Sequence, residues 1–207
     1  MTPADTAAAR PRVEGDRELE ILEAALAVLA DVGYDRLTMD AVATAAKASK
    51  ATLYRRWTTK AALVIDALLS QKTMPEVPDT GSLRGDLLEA FCGFGGMLDG
   101  DAVATLSSVL TAITRDAEFA REFRTRVIAP KLEVSRTIYE RAVARGEVRA
   151  DLDVSLFGPA LAGILLHRAY LLGEVPTADL IESVVDQIIL PAALAPAPRS
   201  HSEKDHA

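Results

Sequence analysis

Apolar residues along this chain recur every three or four positions, which is the spacing of amphipathic α-helices. A first helix is predicted over about residues 16–32, and its apolar stripe consists of Leu22, Ala25, Leu26 and Leu29. Gly33 is well placed to end this helix. The other periodic segments are almost all of the same kind. The pattern therefore predicts an all-α fold.

The segment from Thr38 to Lys60 predicts two short helices, a turn at residues 46–48 and the start of a further helix. Thr38 and Ser49 can cap the two short helices, because their hydroxyl groups accept hydrogen bonds from free backbone N–H groups. On the second helix, Leu53 and Trp57 share one face. The opposite face carries Ala51, Thr52 and Arg55, with Lys50 and Tyr54 on its flanks. A slim, hydroxylic and cationic face suits a helix that enters the major groove of DNA.

Charge supports a DNA-binding helix-turn-helix. The whole chain is acidic, with a net charge of −7. The window from Ala41 to Ile65 nevertheless contains no acidic residue, and its cations are Lys47, Lys50, Arg55, Arg56 and Lys60. A charge run alone is often only a solvated face. Together with the hydroxyl groups and the turn, it favours one basic patch through which an otherwise acidic protein meets DNA.

Residues 73–82 interrupt the periodicity with two prolines and a glycine, so a domain boundary is expected there. The DNA-binding domain is then residues 16–72, including a linker helix over 59–72, and a second helical domain is residues 73–194. The predicted helices of the second domain lie at about 83–98, 102–115, 118–145, 154–172 and 178–194. Pro130 should kink or split the third of them. The ends, residues 1–15 and 195–207, lack periodicity and are expected to be disordered.

The last two predicted helices are unusually apolar. Part of this surface must form the core of the chain, and the remainder suits a self-complementary four-helix interface between two copies. The candidate interface residues are Leu156, Ala160, Gly163, Ile164, His167, Ile181, Val184, Val185 and Ile188. A homodimer would place two recognition helices about 34 Å apart, one DNA turn, to read an inverted repeat.

Three glycines lie within residues 91–97, in a stretch expected to be helical. Either the helix ends or bends there, or the glycines open space for a ligand. Candidate pocket residues are Phe91, Phe94, Met97, Leu110, Ile113, Phe123, Tyr139, Leu166 and Tyr170. Such a pocket would be mostly apolar, with Tyr139, His167 and Tyr170 as the available polar anchors. His167 could equally be a core or interface residue, and Cys92 is expected to be a buried structural thiol.

The helix-turn-helix resembles the N-terminal domain of the TetR family of bacterial transcriptional regulators. The resemblance covers about residues 19–69 and includes Gly33-Tyr34, Leu37-Thr38, Ala41-Val42-Ala43, the run from Thr52 to Trp57, and Lys60 with Leu63. It implies that Lys50, Thr52 and Arg55 face the groove, and that Thr38, Tyr54 and Lys60 contact phosphates. Lys47 stands where the family usually has glycine, so a changed turn conformation and one more phosphate contact are both open. Residues 144–153 and the following helix also resemble the C-terminal domain of one TetR subgroup.

We therefore expect a cytoplasmic, homodimeric repressor, released from an inverted-repeat DNA operator by a small, mostly apolar effector. Activation in place of repression stays open, because nothing in the residues decides between the two. The resemblance implies that the linker helix transmits this signal. The alternative is a helical scaffold or small-molecule-binding protein with a vestigial helix-turn-helix. An enzyme is not expected, because no acid–base pair, activated nucleophile or phosphate-binding loop is present. No cofactor or metal motif appears, and no apolar run approaches the roughly 18 residues of a membrane span.

Overall fold

The structure is a computed structural model that describes residues 14–71, 77–92 and 100–194. Within these ranges the chain is helical and contains no strand, which confirms the all-α fold. The α-helices are α1 Glu14–Arg36, α2 Met39–Ala45, α3 Lys50–Arg56, α4 Lys60–Ser70, α5 Leu83–Cys92, α6 Gly100–Arg115, α7 Ala117–Phe123, α8 Ala129–Ala144, α9 Val154–Leu171, α10 Ala178–Val184 and α11 Leu190–Leu194. Two π-helical segments, Arg124–Ile128 and Val185–Ile189, lie between α7 and α8 and between α10 and α11.

The described chain divides into two compact units. The first unit contains residues 14–71 and 105–123, and the second contains residues 77–92, 100–104 and 124–194. Residues 105–123, which the sequence assigns to the second domain, therefore belong to the first unit. The reason is that α7 packs against α4 within that unit, where Phe119 and Ala120 are buried.

Gly33 interrupts the helical path of α1. Its backbone has φ 76° and ψ 165°, a conformation that side chains strongly disfavour. The predicted end of the first helix is therefore a break inside α1, after which Tyr34 turns into the core with 3% of its surface exposed. Ala25 and Leu29, from the predicted apolar stripe, are fully buried before the break.

Tyr34 connects α1 to α7 within the first unit. Its hydroxyl group donates to Asp116 Oδ2 at 2.8 Å, and its ring lies 4.7 Å from the ring of Phe119. Asp116 also accepts from the backbone N–H of Phe119 at 3.0 Å and so caps the start of α7. These two donors hold the pKa of Asp116 below its ordinary value. The hydrogen bonds to the Asp116 carboxylate therefore stabilise this unit at neutral pH. Their contribution to the free energy of unfolding is lost as the pH falls and the carboxylate is protonated.

Two prolines explain the positions of the π-helical segments. A proline has no N–H group, so Pro130 cannot bond the carbonyl of Arg126 and Pro191 cannot bond that of Gln187. Both carbonyls lie inside π-helical segments, where the wider turn changes the bonding pattern. The predicted split at Pro130 is thus a π-helical segment followed by α8. The same effect at Pro191 was not predicted.

The second unit has an aliphatic core formed by α5, α8, α9 and α10 with the second π-helical segment. Beside this core, the carboxylate of Asp86 is completely buried. It accepts from the backbone N–H and the hydroxyl group of Thr80 at 2.6 and 2.8 Å and from Arg145 Nη2 at 3.2 Å. Asp86 therefore ties the segment before α5 to the end of α8.

α9 is a long and largely apolar helix of the second unit. By length and composition it could cross a membrane, which departs from the prediction that no apolar run approaches that length. Only 11% of its residues are buried. One such helix is weak support for a span, because helices that pack against protein pass the same test.

Replacement of Asp86 by alanine should lower the free energy of unfolding by about 2–4 kcal/mol, because three donors lose a buried charged acceptor. Urea denaturation followed by circular dichroism measures the change. Asp79→Ala is the matched control. The Asp79 side chain is 67% exposed and lies 3.8 and 4.0 Å from Arg141 and Arg145, so its loss should cost less than about 0.5 kcal/mol. Equal effects of the two substitutions would contradict the anchoring role of Asp86.

Candidate DNA-binding site

Two capped helices form the core of the site. The hydroxyl group of Thr38 accepts from the backbone N–H of Ala41 at 3.1 Å and begins α2. The hydroxyl group of Ser49 accepts from the N–H of Thr52, also at 3.1 Å, and begins α3. Both predicted caps are confirmed. They matter because each helix has only seven residues, too few to be stable without caps and packing.

The turn between α2 and α3 is a Schellman motif with lysine in the position that glycine usually takes. The N–H of Ala48 bonds the carbonyl of Ala43 at 2.8 Å, and the N–H of Lys47 bonds that of Thr44 at 3.1 Å. Lys47 itself has φ 50°, in the left-handed region. The turn therefore keeps the geometry that glycine would give it, and the lysine carries the strain. Arg17 supports the turn by donating to the Lys47 carbonyl at 2.7 Å.

Leu53 and Trp57 fix which face of α3 points outward. Leu53 is fully buried and Trp57 is 2% exposed, as the helical spacing predicts. The indole N–H of Trp57 donates to Asp66 Oδ2 on α4 at 2.7 Å. With this face buried, Lys50, Ala51, Tyr54 and Arg55 are exposed and Thr52 is half-buried. The hydroxyl groups of Thr52 and Ser49 lie 2.8 Å apart.

The cations of α3 differ in their partners. Lys50 Nζ lies 2.5 Å from Asp40 Oδ2, and Arg56 Nη2 lies 3.0 Å from Glu18 Oε1. Hydrogen bonding to these carboxylates raises the pKa of both cations above the ordinary values. In the part of the chain that the structure describes, Arg55 forms no ion pair. Among the described residues, Arg55 is therefore the α3 cation without a carboxylate partner.

Lys60 is directed towards the protein. Its Nζ donates to the carbonyl of Tyr34 at 2.9 Å and lies 4.3 Å from the centre of the Tyr34 ring. The predicted phosphate contact would have to come from another N–H of the same ammonium group. The start of α4 is still a suitable place for an anion, because Thr59 caps it and the helix dipole is positive there.

Sequence reasoning missed three acidic residues that shape the site, Glu18, Asp40 and Asp66. Asp40 and Asp66 lie just outside the acid-free window, and Glu18 is far from it along the chain. The position of Asp40 on the first turn of α2 could have drawn attention to it. Nothing local in the sequence indicates that Glu18 on α1 contacts Arg56.

The predicted ligand residues do not form one group within either unit. Leu110, Ile113 and Phe123 belong to the first unit, whereas Phe91, Tyr139, Leu166 and Tyr170 belong to the second. Phe94 and Met97 lie outside the described residues, and so do the glycines between residues 91 and 97. The structure also does not describe how far the Cys92 side chain is buried.

Two of the predicted pocket residues are core residues. Phe123 is 8% exposed and stacks on Phe119 at 5.9 Å between ring centres. Tyr139 is 1% exposed and meets Phe157 edge to face at 5.9 Å. Burial raises the pKa of the Tyr139 hydroxyl group above its ordinary value. Packing in the core therefore explains these two aromatic residues, and no ligand contact is needed to explain them.

The predicted interface residues fall into two groups. Ile181, Val184 and Val185 are 0–4% exposed within the second unit's own core, so their assignment to an interface between copies is wrong. The apolar face of α10 packs against α5 and α9 instead. The remaining candidates are exposed or half-buried: Leu156, Ala160, Gly163, Ile164, His167 and Ile188. A Cβ atom added at Gly163 would meet no described atom within 4 Å.

The chain matches two family descriptions. Residues 21–67 match "Bacterial regulatory proteins, tetR family", and residues 77–188 match "Tetracyclin repressor-like, C-terminal domain". A DNA-binding transcriptional repressor TetR of Mycobacteroides abscessus is 38% identical over 180 residues, which cover 84% of this chain and 92% of the relative. An uncharacterized HTH-type transcriptional regulator of Mycobacterium tuberculosis is 36% identical over 182 residues, covering 85% and 87%.

Solved structures show the same fold. The crystal structure of a TetR family transcription regulator, SCO0332, has a TM-score of 0.66 and 26% identity, covering 87% of this chain and all of that one. The regulator FadR of Bacillus subtilis, solved in complex with stearoyl-CoA, has a TM-score of 0.68 and 17% identity, covering 86% and 97%.

The capped helix pair, the buried Trp57 and the cationic outward face of α3 define a helix-turn-helix DNA-binding protein. The matches over both parts of the chain identify its family. The chain belongs to the TetR family and is a DNA-binding transcriptional regulator. The resemblance found in the sequence is confirmed, and the alternative of a scaffold with a vestigial motif is not favoured.

Replacement of Lys47 by glycine should raise the free energy of unfolding of the first unit by roughly 0.5–1 kcal/mol. The strain of a left-handed lysine is removed, and the greater freedom of glycine in the unfolded chain offsets part of the gain. Lys47→Ala removes the same charge but keeps the strain, so it should give no stabilisation. Urea denaturation followed by the fluorescence of Trp57 separates the two, because Trp57 is the single tryptophan. Equal stability of both variants would show that the turn is unstrained.

Proposed function

We propose that this regulator is a homodimeric repressor that inserts α3 into the major groove of an inverted-repeat operator. The observation that carries the proposal is the outward face of α3, where Arg55 is exposed without an ion pair among the described residues and Leu53 and Trp57 are buried behind it. A face with donors and little bulk is what base-edge recognition needs.

The proposed contacts divide into two kinds. Lys50, Ala51, Thr52 and Arg55 would approach base edges, since they occupy the exposed side of α3 or its flank. The proposed phosphate contacts are Thr38, Lys47, Ser49, Tyr54 and Lys60. Tyr54 supports this assignment because it is 52% exposed, although a tyrosine of this helix could have joined the core. Phosphate contacts position the protein, and base contacts provide specificity.

We infer that two copies associate through α9 and the second π-helical segment. Leu156 is 66% exposed and Ile188 is 49% exposed, and α9 as a whole is apolar and little buried within the chain. Covering such a surface gives a favourable free energy of association. The open space beside Gly163 suits close approach of a helix from a second copy. A location in the cytoplasm, where such a dimer would meet DNA, belongs to the same proposal.

The effector is proposed to be a small, mostly apolar molecule held by the helical C-terminal part of the chain. Phe91, Leu166 and Tyr170 remain candidates, since none of the three is fully buried in the core. The B. subtilis FadR, which has this fold, was solved with stearoyl-CoA. An effector that favours a DNA-incompetent geometry by about 1–3 kcal/mol would weaken operator binding roughly 5- to 150-fold.

The experiment that tests the proposed function is fluorescence anisotropy with two labelled DNA fragments over a series of salt concentrations. One fragment is the intergenic DNA beside the protein's own gene, and the other is a shuffled sequence of equal length. Tight binding to the native fragment alone is the expected result. Equal, weak and steeply salt-dependent binding to both fragments would contradict an operator at that site.

Arg55→Ala should reduce the preference for the native fragment by about 10-fold or more, because loss of one good base contact is worth about 1–3 kcal/mol. Binding to the shuffled fragment should change little. Arg36→Ala is the control, since Arg36 is an exposed arginine of the same unit, outside the helix-turn-helix, whose Nε donates to the carbonyl of Val32. If the two variants lose the same preference, Arg55 does not read bases.

Leu156→Glu and Ile188→Glu should each convert the protein to a monomer, because a buried unpaired carboxylate would oppose association. Light scattering after size-exclusion chromatography measures the mass, and binding to the native fragment should weaken with it. Val175→Glu is the control, because Val175 is also 66% exposed in the second unit but lies outside the proposed interface. A dimeric mass for both interface variants would place the interface elsewhere.

A further inference from the structure

Two carboxylates hold the cations at the two ends of α3. At the start of α3, Lys50 pairs with Asp40 of α2 at 2.5 Å. At its end, Arg56 Nε and Nη2 both donate to Glu18 Oε1 of α1, at 3.3 and 3.0 Å. The four side chains are between 36% and 65% exposed, so both ion pairs are accessible to solvent.

Both pairs are contacts that DNA can compete for. Exposed ion pairs of this kind contribute little to folding stability, so breaking them costs the fold little. A DNA phosphate could replace either carboxylate as the partner of Lys50 or Arg56. The displaced carboxylate would then stand close to a polyanion, which is unfavourable. Asp40 and Glu18 thus oppose contacts made only with the phosphate backbone.

An operator need not break the pair at Lys50. A lysine ammonium group has three N–H donors, so Lys50 can keep its bond to Asp40 and still donate to an acceptor on a base edge. On random DNA, where no suitable acceptor stands at that position, Lys50 can contribute only through a phosphate. A phosphate that approaches this ammonium group also comes close to the negative carboxylate of Asp40, whereas an acceptor on a base edge carries no net charge. The cost of this repulsion therefore falls mainly on binding that is independent of sequence.

We propose that Asp40 is a specificity-determining residue, which restrains Lys50 and so weakens binding to random DNA more than binding to the operator. This proposal rests on the proposed use of α3 as the recognition helix. Arg55, which has no such restraint in the described part of the chain, is left to read bases.

The test uses the full-length protein and the same two labelled fragments. Asp40→Asn should raise affinity for shuffled DNA about 3- to 10-fold and change affinity for the native fragment less than 2-fold. The new phosphate contact should also steepen the logarithmic salt dependence on shuffled DNA by about 0.9. Asp31→Asn is the matched control. It makes the same charge change on an exposed residue of the same unit that lies on α1, outside the helix-turn-helix.

A second background isolates the Asp40–Lys50 pair. In a Lys50→Met protein, Asp40→Asn should no longer raise affinity for shuffled DNA, because the restrained cation is absent. An increase that persists in this background, an equal increase on both fragments, or no change in salt slope would each overturn the proposal. The salt slope on shuffled DNA needs no operator. Failure of the wild-type protein to prefer the native fragment would therefore count against the proposed function alone.

Discussion

Burial of Leu53 and Trp57 is the constraint on which the DNA-binding surface depends. α3 has only seven residues and would not remain helical in isolation. Its two apolar side chains are removed from water, and the indole N–H of Trp57 is satisfied by Asp66 on α4. Because helical geometry is periodic, fixing these two positions fixes all the others. Arg55 and Tyr54 are exposed as a result of what Leu53 and Trp57 bury.

The electrostatics of the first unit depend on a few acidic residues more than on the number of cations. Asp40 and Glu18 determine which α3 cations are already engaged, and Asp116 helps to orient Tyr34, whose carbonyl and ring in turn hold Lys60. The chain has a net charge of −7, and two of its acidic residues, Asp40 and Glu18, form ion pairs with cations of the basic patch. Specific binding benefits from this arrangement, because indiscriminate attraction to phosphates is reduced.

The apolar surface of the second unit is partly buried in its core and partly exposed. The apolar face of α10 and the π-helical segment after it pack in the core through Ile181, Val184 and Val185, whereas most of the surface of α9 is uncovered within the described chain. The helical path continues past Pro130 and Pro191, although neither residue has an N–H donor. A π-helical segment precedes each proline, and its wider turn changes the hydrogen-bonding pattern there. Helices of this kind can keep a packed core on one side and a surface for association on the other.

Local sequence patterns determined the helices, the caps at Thr38 and Ser49, the break at Gly33 and the outward face of α3, because each depends on neighbouring residues and on a fixed helical period. The family resemblance also followed from such a contiguous motif. Only the tertiary structure decided that α7 joins the first unit, that Ile181 is core and not interface, and that Glu18 reaches Arg56. These contacts join residues far apart in the chain, and a periodic pattern shows that a face is apolar or charged without showing what covers it.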